Sequence, residues 1–189
     1  MQHHFIVLLS GCGLGDGSCI EEVILTYLAL ERRGCSYVPV AHEKRCPSVN
    51  HITEQLEGER DVLIEAARLG RGRIQPLDNI SADNACGLII PGGLGLLGNY
   101  RNDSAVSALV QSFLTTRKPI ATMCAGIDFL RSLLGSGLLS AEMPSVPADG
   151  VCREGSIFYT PAFRKTTSLL TVEQGISNLI DAVCQELET

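Results

Sequence analysis

Short apolar runs and longer amphipathic segments take turns along this chain of 189 residues. Phe5–Ser10 is a strand-length apolar run, and the glycine-rich turn Gly11–Ser18 follows it. From Cys19 to Arg33 the apolar residues Ile20, Val23, Ile24, Tyr27, Leu28 and Leu30 recur at helical spacing, with Gly34 placed to stop the helix. Tyr37–Val40 predicts a second strand. After an irregular stretch, Arg60–Leu69 predicts a helix that ends in the basic turn Gly70-Arg71-Gly72-Arg73. The strand Gly87–Ile90 runs into Pro91-Gly92-Gly93, and Val106, Leu109, Val110, Phe113 and Leu114 mark one helix face. Pro119–Met123 predicts a strand and Ala125–Leu134 a helix. The Pro- and Gly-rich stretch Ser136–Gly155 leads to the strand Ser156–Tyr159, and Val172, Ile176, Leu179, Ile180, Val183 and Leu187 form the stripe of a closing helix.

Strands alternating with helices imply a mostly parallel, doubly wound sheet with helices on both faces, a three-layer α/β sandwich. No repeat or linker interrupts the pattern, so residues 1–189 are expected to form a single domain. Composition narrows the function classes. At 45% hydrophobic and 19% charged residues the chain has ample apolar surface for one core. A net charge of −6 and the lack of a basic run argue against nucleic acid or an anionic membrane as partner.

Eight cysteines stand at 12, 19, 35, 46, 86, 124, 152 and 184, with no CxxC pair. No metal site is expected from that spacing. The apolar run Phe5–Leu9 is too short, and lacks the basic start, for a secretory leader. Reduced thiols and a cytoplasmic location are therefore expected. All four histidines (His3, His4, His42, His51) precede position 52.

Ligands of open parallel sheets bind beyond the carboxyl ends of the strands. The unusual residues fall there: Gly11-Cys12-Gly13, Pro91-Gly92-Gly93, Cys124-Ala125-Gly126 and Thr160-Pro161-Ala162. Cys124 follows a strand and immediately precedes a helix, which is the geometry of a nucleophile turn. At a helix N-terminus its thiol is expected to have a lowered pKa. The amides of a glycine turn at Gly92-Gly93 could face an oxyanion. Gly11–Gly17 follows a strand and precedes a helix, but Asp16 stands where a dinucleotide fingerprint needs its third glycine, and the second strand ends Val40-Ala41-His42 without an acidic residue. No cofactor is expected. Glu21 and Glu22 open the first helix, where they complement its dipole; a carboxyl beside Cys124 with a raised pKa could also share a proton with the thiol.

These residues resemble the ThiJ/PfpI superfamily, with its class I glutamine-amidotransferase-like, flavodoxin-like fold, and more narrowly the ElbB-type glyoxalase or isoprenoid-biosynthesis group, also labelled sigma cross-reacting proteins. The likeness rests on Leu9–Gly13 with Asp16-Gly17-Ser18, Asn50-His51, Val62–Arg68 with Arg71-Gly72, Ile90–Gly93 with Gly95, Met123-Cys124 and Thr160-Pro161-Ala162. It implies Cys124 as nucleophile and Glu22 as its carboxylate partner. It implies Gly93 and Ala125 as oxyanion donors beside Gly92, and Cys12 and His51 near the pocket. The implied activity is a cofactor-independent glyoxalase, or a deglycase, turning glyoxal or methylglyoxal into the 2-hydroxy acid through a Cys124 hemithioacetal. A small aldehyde as substrate and a homodimer go with it.

The chain departs from the resemblance in three places. No histidine follows position 51, which removes the Cys–His chemistry of amidotransferases and PfpI-type peptidases. Ala125-Gly126-Ile127 after the nucleophile is closer to the deglycase branch, and Cys19 replaces a group-typical Glu. The rival reading is a non-catalytic redox-sensing or stress-response protein in which Cys124 is oxidised, with Cys12 or Cys19 available as a disulfide partner.

Overall fold

The computed structural model describes residues 3–135 and 145–189. Six strands run parallel: β1 (His4–Leu8), β2 (Ser36–Ala41), β5 (Gln75–Pro76), β6 (Gly87–Ile90), β7 (Ile120–Met123) and β9 (Ile157–Thr160). An antiparallel edge strand, β8 (Cys152–Glu154), completes a seven-stranded sheet of order β5-β2-β1-β6-β7-β9-β8. The central strands are buried on both faces, which is why they read as unbroken apolar runs rather than alternating ones.

From β1 the chain steps one way across the sheet through α1 (Ile20–Arg32) to β2; from β6 it steps the other way through α3 (Gly95–Tyr100) and α4 (Ser104–Thr115) to β7. Right-handed crossovers in opposite directions put these helices on opposite faces. α1 packs against the closing helix α6 (Leu169–Leu187) and touches α2 (Val62–Leu69); across the sheet, α4 lies on β6 while α3 meets α5 (Gly126–Leu134). The reversal of direction falls between β1 and β6, and in doubly wound sheets ligands bind at that switch. Three helices start where a side chain caps the first turn: Asp61 accepts from the Ile64 amide, Asp103 from Val106 and Ser168 from Thr171.

The irregular stretch after β2 is a hairpin of β3 (Arg45–Val49) and β4 (Leu56–Asp61), paired only with each other. Its sequence hides it, because β4 reads Leu-Glu-Gly-Glu-Arg-Asp and lies mostly exposed. α3 is hidden too, by two glycines in six residues. Of the stretch Ser136–Gly155, residues 136–144 lie outside the described residues; β8 falls in the remainder.

Candidate active site

Three segments meet beyond the ends of β1, β6 and β7. The Cys19 amide, at the start of α1, donates to the Gly92 carbonyl (2.9 Å), which ties the first turn of α1 to the loop after β6. The Cys124 amide donates to the Thr160 carbonyl (3.2 Å), fixing the turn after β7 against β9. Cys124 has φ +48°, a left-handed conformation that costs a non-glycine residue about 1–2 kcal/mol. The bend lifts its side chain off the sheet. Directly below, Gly126 admits no side chain, since a Cβ there would lie 2.0 Å from Thr122 Oγ1.

Gly92 shows how close the groups are. A Cβ on it would stand 2.4 Å from Glu22 Oε2 and 2.8 Å from Cys124 Cβ. Gly93 is required for a different reason: its φ is +120°, and a Cβ would meet the Gly17 carbonyl at 2.2 Å. Glycine is thus the only residue that lets the carboxylate, the thiol and the α1 entry loop pack together.

Glu22 is fully buried, and among the described residues neither carboxylate oxygen has a hydrogen-bond partner of ordinary geometry. Burial pushes its pKa up to about 7, against the smaller opposing pull of the Gly92 amide, the Cys124 thiol and the Phe163 amide. Glu21, one residue earlier, is exposed and accepts from the Cys19 thiol at 3.3 Å. The helix period, not the residue type, decides which of the two acids faces Cys124.

The expected low thiol pKa is corrected by this geometry. Cys124 is pushed up to about 12, first by burial and then by the facing Glu22 carboxylate; the Ala125 amide and Arg164 pull the other way without prevailing. A helix N-terminus favours thiolate, but a buried anion at contact distance outweighs it. The resting pair is therefore a thiol beside a carboxyl that titrates near neutrality. The amides of the glycine turn and of the nucleophile turn are directed at the two groups. The Gly92 amide faces the Glu22 carboxylate, and the Ala125 amide faces the Cys124 sulfur.

Cys12 and His51 lie in a neighbouring cluster. The Cys12 carbonyl accepts from Arg60 (3.0 Å), and its thiol, raised by burial, feels Arg60, Glu65, Arg68 and Asp16. Arg60 pairs with Asp16 (3.0 Å) and with Glu65. His51 Nδ1 donates to the Val49 carbonyl (2.9 Å), which leaves Nε2 to accept from the Gly15 amide (3.0 Å). Both ring nitrogens are therefore occupied in pinning the β3–β4 hairpin to the glycine turn, and His51 is a brace. All eight cysteines are free, in line with the reduced thiols expected, and the Cys19 thiol donates to Glu21.

Sequence reading missed Arg164 and Tyr159. Arg164 follows the β9 end, pairs with Asp128 and lowers the Cys124 pKa. Tyr159 is buried, its hydroxyl without a hydrogen-bond partner among the described residues and within electrostatic reach of Cys124 and Arg164. A lone arginine in a loop and a tyrosine in a strand carry no sequence signal; only the register of β7 with β9 brings them beside the nucleophile turn.

Residues 14–148 match the model of the DJ-1/PfpI family. The chain belongs to the DJ-1/PfpI family. A mitochondrial human protein, glutamine amidotransferase-like class 1 domain-containing protein 3, is 34% identical over 136 residues, which cover 62% of this chain and 49% of the human one. The mitochondrial ES1 protein homolog of Rattus norvegicus is 31% identical over 134 residues, again 62% of this chain and 49% of the relative. The chain spans about half the length of these curated relatives. Among solved structures, an isoprenoid biosynthesis protein with an amidotransferase-like domain from Ehrlichia chaffeensis superimposes with a TM-score of 0.89 at 26% identity, covering 98% of this chain and 99% of that one. The cytoplasmic expectation is overturned by the curated relatives, which are named as mitochondrial proteins.

Proposed function

We propose that the chain is a cofactor-independent glyoxalase of the narrower ElbB-type group, with Cys124 as nucleophile and Glu22 as proton carrier. The observation that carries this reading is Glu22 itself: a buried carboxyl with no ordinary partner, packed across Gly92 from a thiol, with a pKa near 7. A base poised near the working pH gives the best compromise between being deprotonated and taking a proton. The Ehrlichia chaffeensis likeness supports the narrower group.

The steps follow from the proton inventory. Glu22 takes the Cys124 proton as the sulfur adds to the aldehyde carbon of glyoxal or methylglyoxal, and the carbonyl oxygen, protonated in turn, becomes the hydroxyl of a hemithioacetal. Glu22 then removes the proton from that carbon and returns it to the neighbouring one through an enediol, while the hemithioacetal hydroxyl passes its proton to the neighbouring oxygen, giving the thioester of a 2-hydroxy acid. Water attacks the thioester, the C–S bond breaks, and the acid leaves with the thiol restored. The Gly93 amide and Arg164 are the groups available to the developing oxyanion once Gly92 and Ala125 are engaged as described. Activation of the thiol by an adjacent base replaces a resting thiolate.

The partner is a second copy of the chain, supported by Ile20, Ile24 and Leu28, which repeat every four residues on the exposed face of α1. The enzyme reading is tested by following 2-hydroxy acid production from methylglyoxal by the wild type, Cys124→Ser and Glu22→Gln. Turnover in the wild type and its loss in both variants is expected. Wild-type turnover no higher than that of Cys124→Ser would sink the reading. Stoichiometric gain of oxygen at Cys124 under mild peroxide, without turnover, would put redox sensing in its place.

A further inference from the structure

Cys35 and Cys184 stand 149 residues apart in sequence with their sulfurs 3.7 Å apart. Cys35 sits in the turn from α1 to β2, where its amide donates to the Leu30 carbonyl (3.0 Å). Cys184 lies in the last turns of α6. Both are buried, Cys184 the more completely (1% exposed against 7%). The same junction is held by charge: Arg33 pairs with Asp181 (3.6 Å) and Glu188 (3.5 Å), both of α6 or its end. The Arg33 guanidinium also lies within electrostatic reach of the Cys184 thiol. This cluster is at the opposite end of the sheet from Cys124, beside the start of β1, where the Cys86 thiol donates to the His4 carbonyl (3.0 Å).

We propose that Cys35 and Cys184 are a dithiol–disulfide pair, closed by a hydroperoxide, that staples the closing helix to the α1–β2 turn. A disulfide needs the sulfurs at about 2.05 Å, so closure asks for a contraction of about 1.7 Å, within reach of small rotations of the two side chains. Ion pairs of Arg33 on both sides of Cys184 hold the two segments in register before the bond forms. Cys35, the more exposed thiol, attacks the peroxide and gives up its proton as it does so. An S–O bond forms, the O–O bond breaks, and the departing hydroxide takes up a proton as water. Cys184, facing Arg33, then attacks the sulfenic sulfur of Cys35; the S–S bond forms, the S–O bond breaks, and the second hydroxide leaves as water with the Cys184 proton. Two thiols are oxidised by two electrons and one peroxide is reduced to two waters.

The pair is independent of the active-site reading, so the test is run on the full chain carrying Cys124→Ser. After hydrogen peroxide treatment, remaining thiols are alkylated under denaturing conditions and the protein is mapped by mass spectrometry. A Cys35–Cys184 peptide, reversed by reductant, is expected, with a rise in Tm of about 5–10 °C from cross-linking a loop this long. Adding Cys35→Ser or Cys35→Ala should abolish both the peptide and the rise. Cys86→Ser should preserve both. Alkylation of both cysteines after peroxide treatment would overturn the proposal, as would a cross-link mapped to Cys86 or a bond formed with no gain in Tm.

Discussion

Glu22 makes a quantitative prediction about stability that does not depend on any substrate. Its carboxyl titrates near 4.5 when free and near 7 in the folded chain, because burial opposes ionisation. At about 1.4 kcal/mol per tenfold change in proton affinity, that difference amounts to about 3 kcal/mol. The unfolded chain loses this proton as the pH passes 4.5, while the folded chain keeps it until about 7. Folding stability therefore falls as pH rises through that window and levels off above it, the contribution being fully present only below 4.5. Glutamine at the same position is always neutral, so Glu22→Gln removes the penalty. Relative to wild type, the variant should gain about 0.8 kcal/mol at pH 5 and about 3.3 kcal/mol at pH 8. Any misfit between the new amide and the nearby Gly92 and Phe163 N–H groups adds a constant offset that does not vary with pH. The diagnostic is the growth of the difference by about 2.5 kcal/mol. Urea denaturation under reductant at pH 5, 6, 7 and 8 measures it, since other titrating groups cancel between the two proteins. Cys124, pushed up to about 12, stays protonated across the range. A difference that is flat with pH, or that shrinks as pH rises, would refute the assignment of Glu22 as a carboxyl ionising near neutrality.

Other outcomes follow from the same geometry. Gly93→Ala should cost about 3 kcal/mol or more in denaturant unfolding, because strain at φ +120° adds to a 2.2 Å clash; Gly34→Ala, at φ +66° with nothing within 4 Å, should cost only about 1 kcal/mol. Arg164→Ala removes the cation that lowers the Cys124 pKa, so iodoacetamide should alkylate Cys124 severalfold more slowly at pH 8, with little change in Tm because the Arg164–Asp128 pair is partly exposed. Ile24→Glu places a charge in the exposed α1 stripe and should convert a dimer to monomer in light scattering while leaving the melting curve of the monomer intact.

Much of this architecture was legible in the sequence. β6 spans the residues read as a strand, and α1, α4, α5 and α6 fall within a few residues of their apolar periodicities. Buried parallel strands advertise themselves because both faces must be apolar. The β3–β4 hairpin did not, since a pair of strands outside the main sheet carries no apolar face to reveal it. At the site, the bends at Cys124 and at the glycines were legible because tight turns and close approaches demand particular residues, whereas the residues alone left Glu21 and Glu22 open and only the family resemblance pointed to Glu22. The direction of the Cys124 pKa shift was not. It depends first on how deeply the thiol is buried and then on the facing Glu22, and both are set by the packing of α1 over the sheet. Arg164, Tyr159 and the meeting of Cys35 with Cys184 share that origin: each is a product of strand register and helix packing between residues remote in sequence.

The hairpin bears on how such a protein can diversify. It hangs from the sheet between β2 and α2, braced by His51 on Gly15 and by Asp16, which accepts from the Val49 amide (2.7 Å) and pairs with Arg60. None of its residues takes part in the Glu22–Gly92–Cys124 packing. Residues 52–55, the exposed turn of the hairpin, carry none of these braces, so insertions there leave His51, Arg60 and the α2 cap Asp61 in place and the reacting groups undisturbed. In engineering terms that turn is an attachment point: an added loop can be grafted there without spending the precision of the Glu22–Cys124 pair.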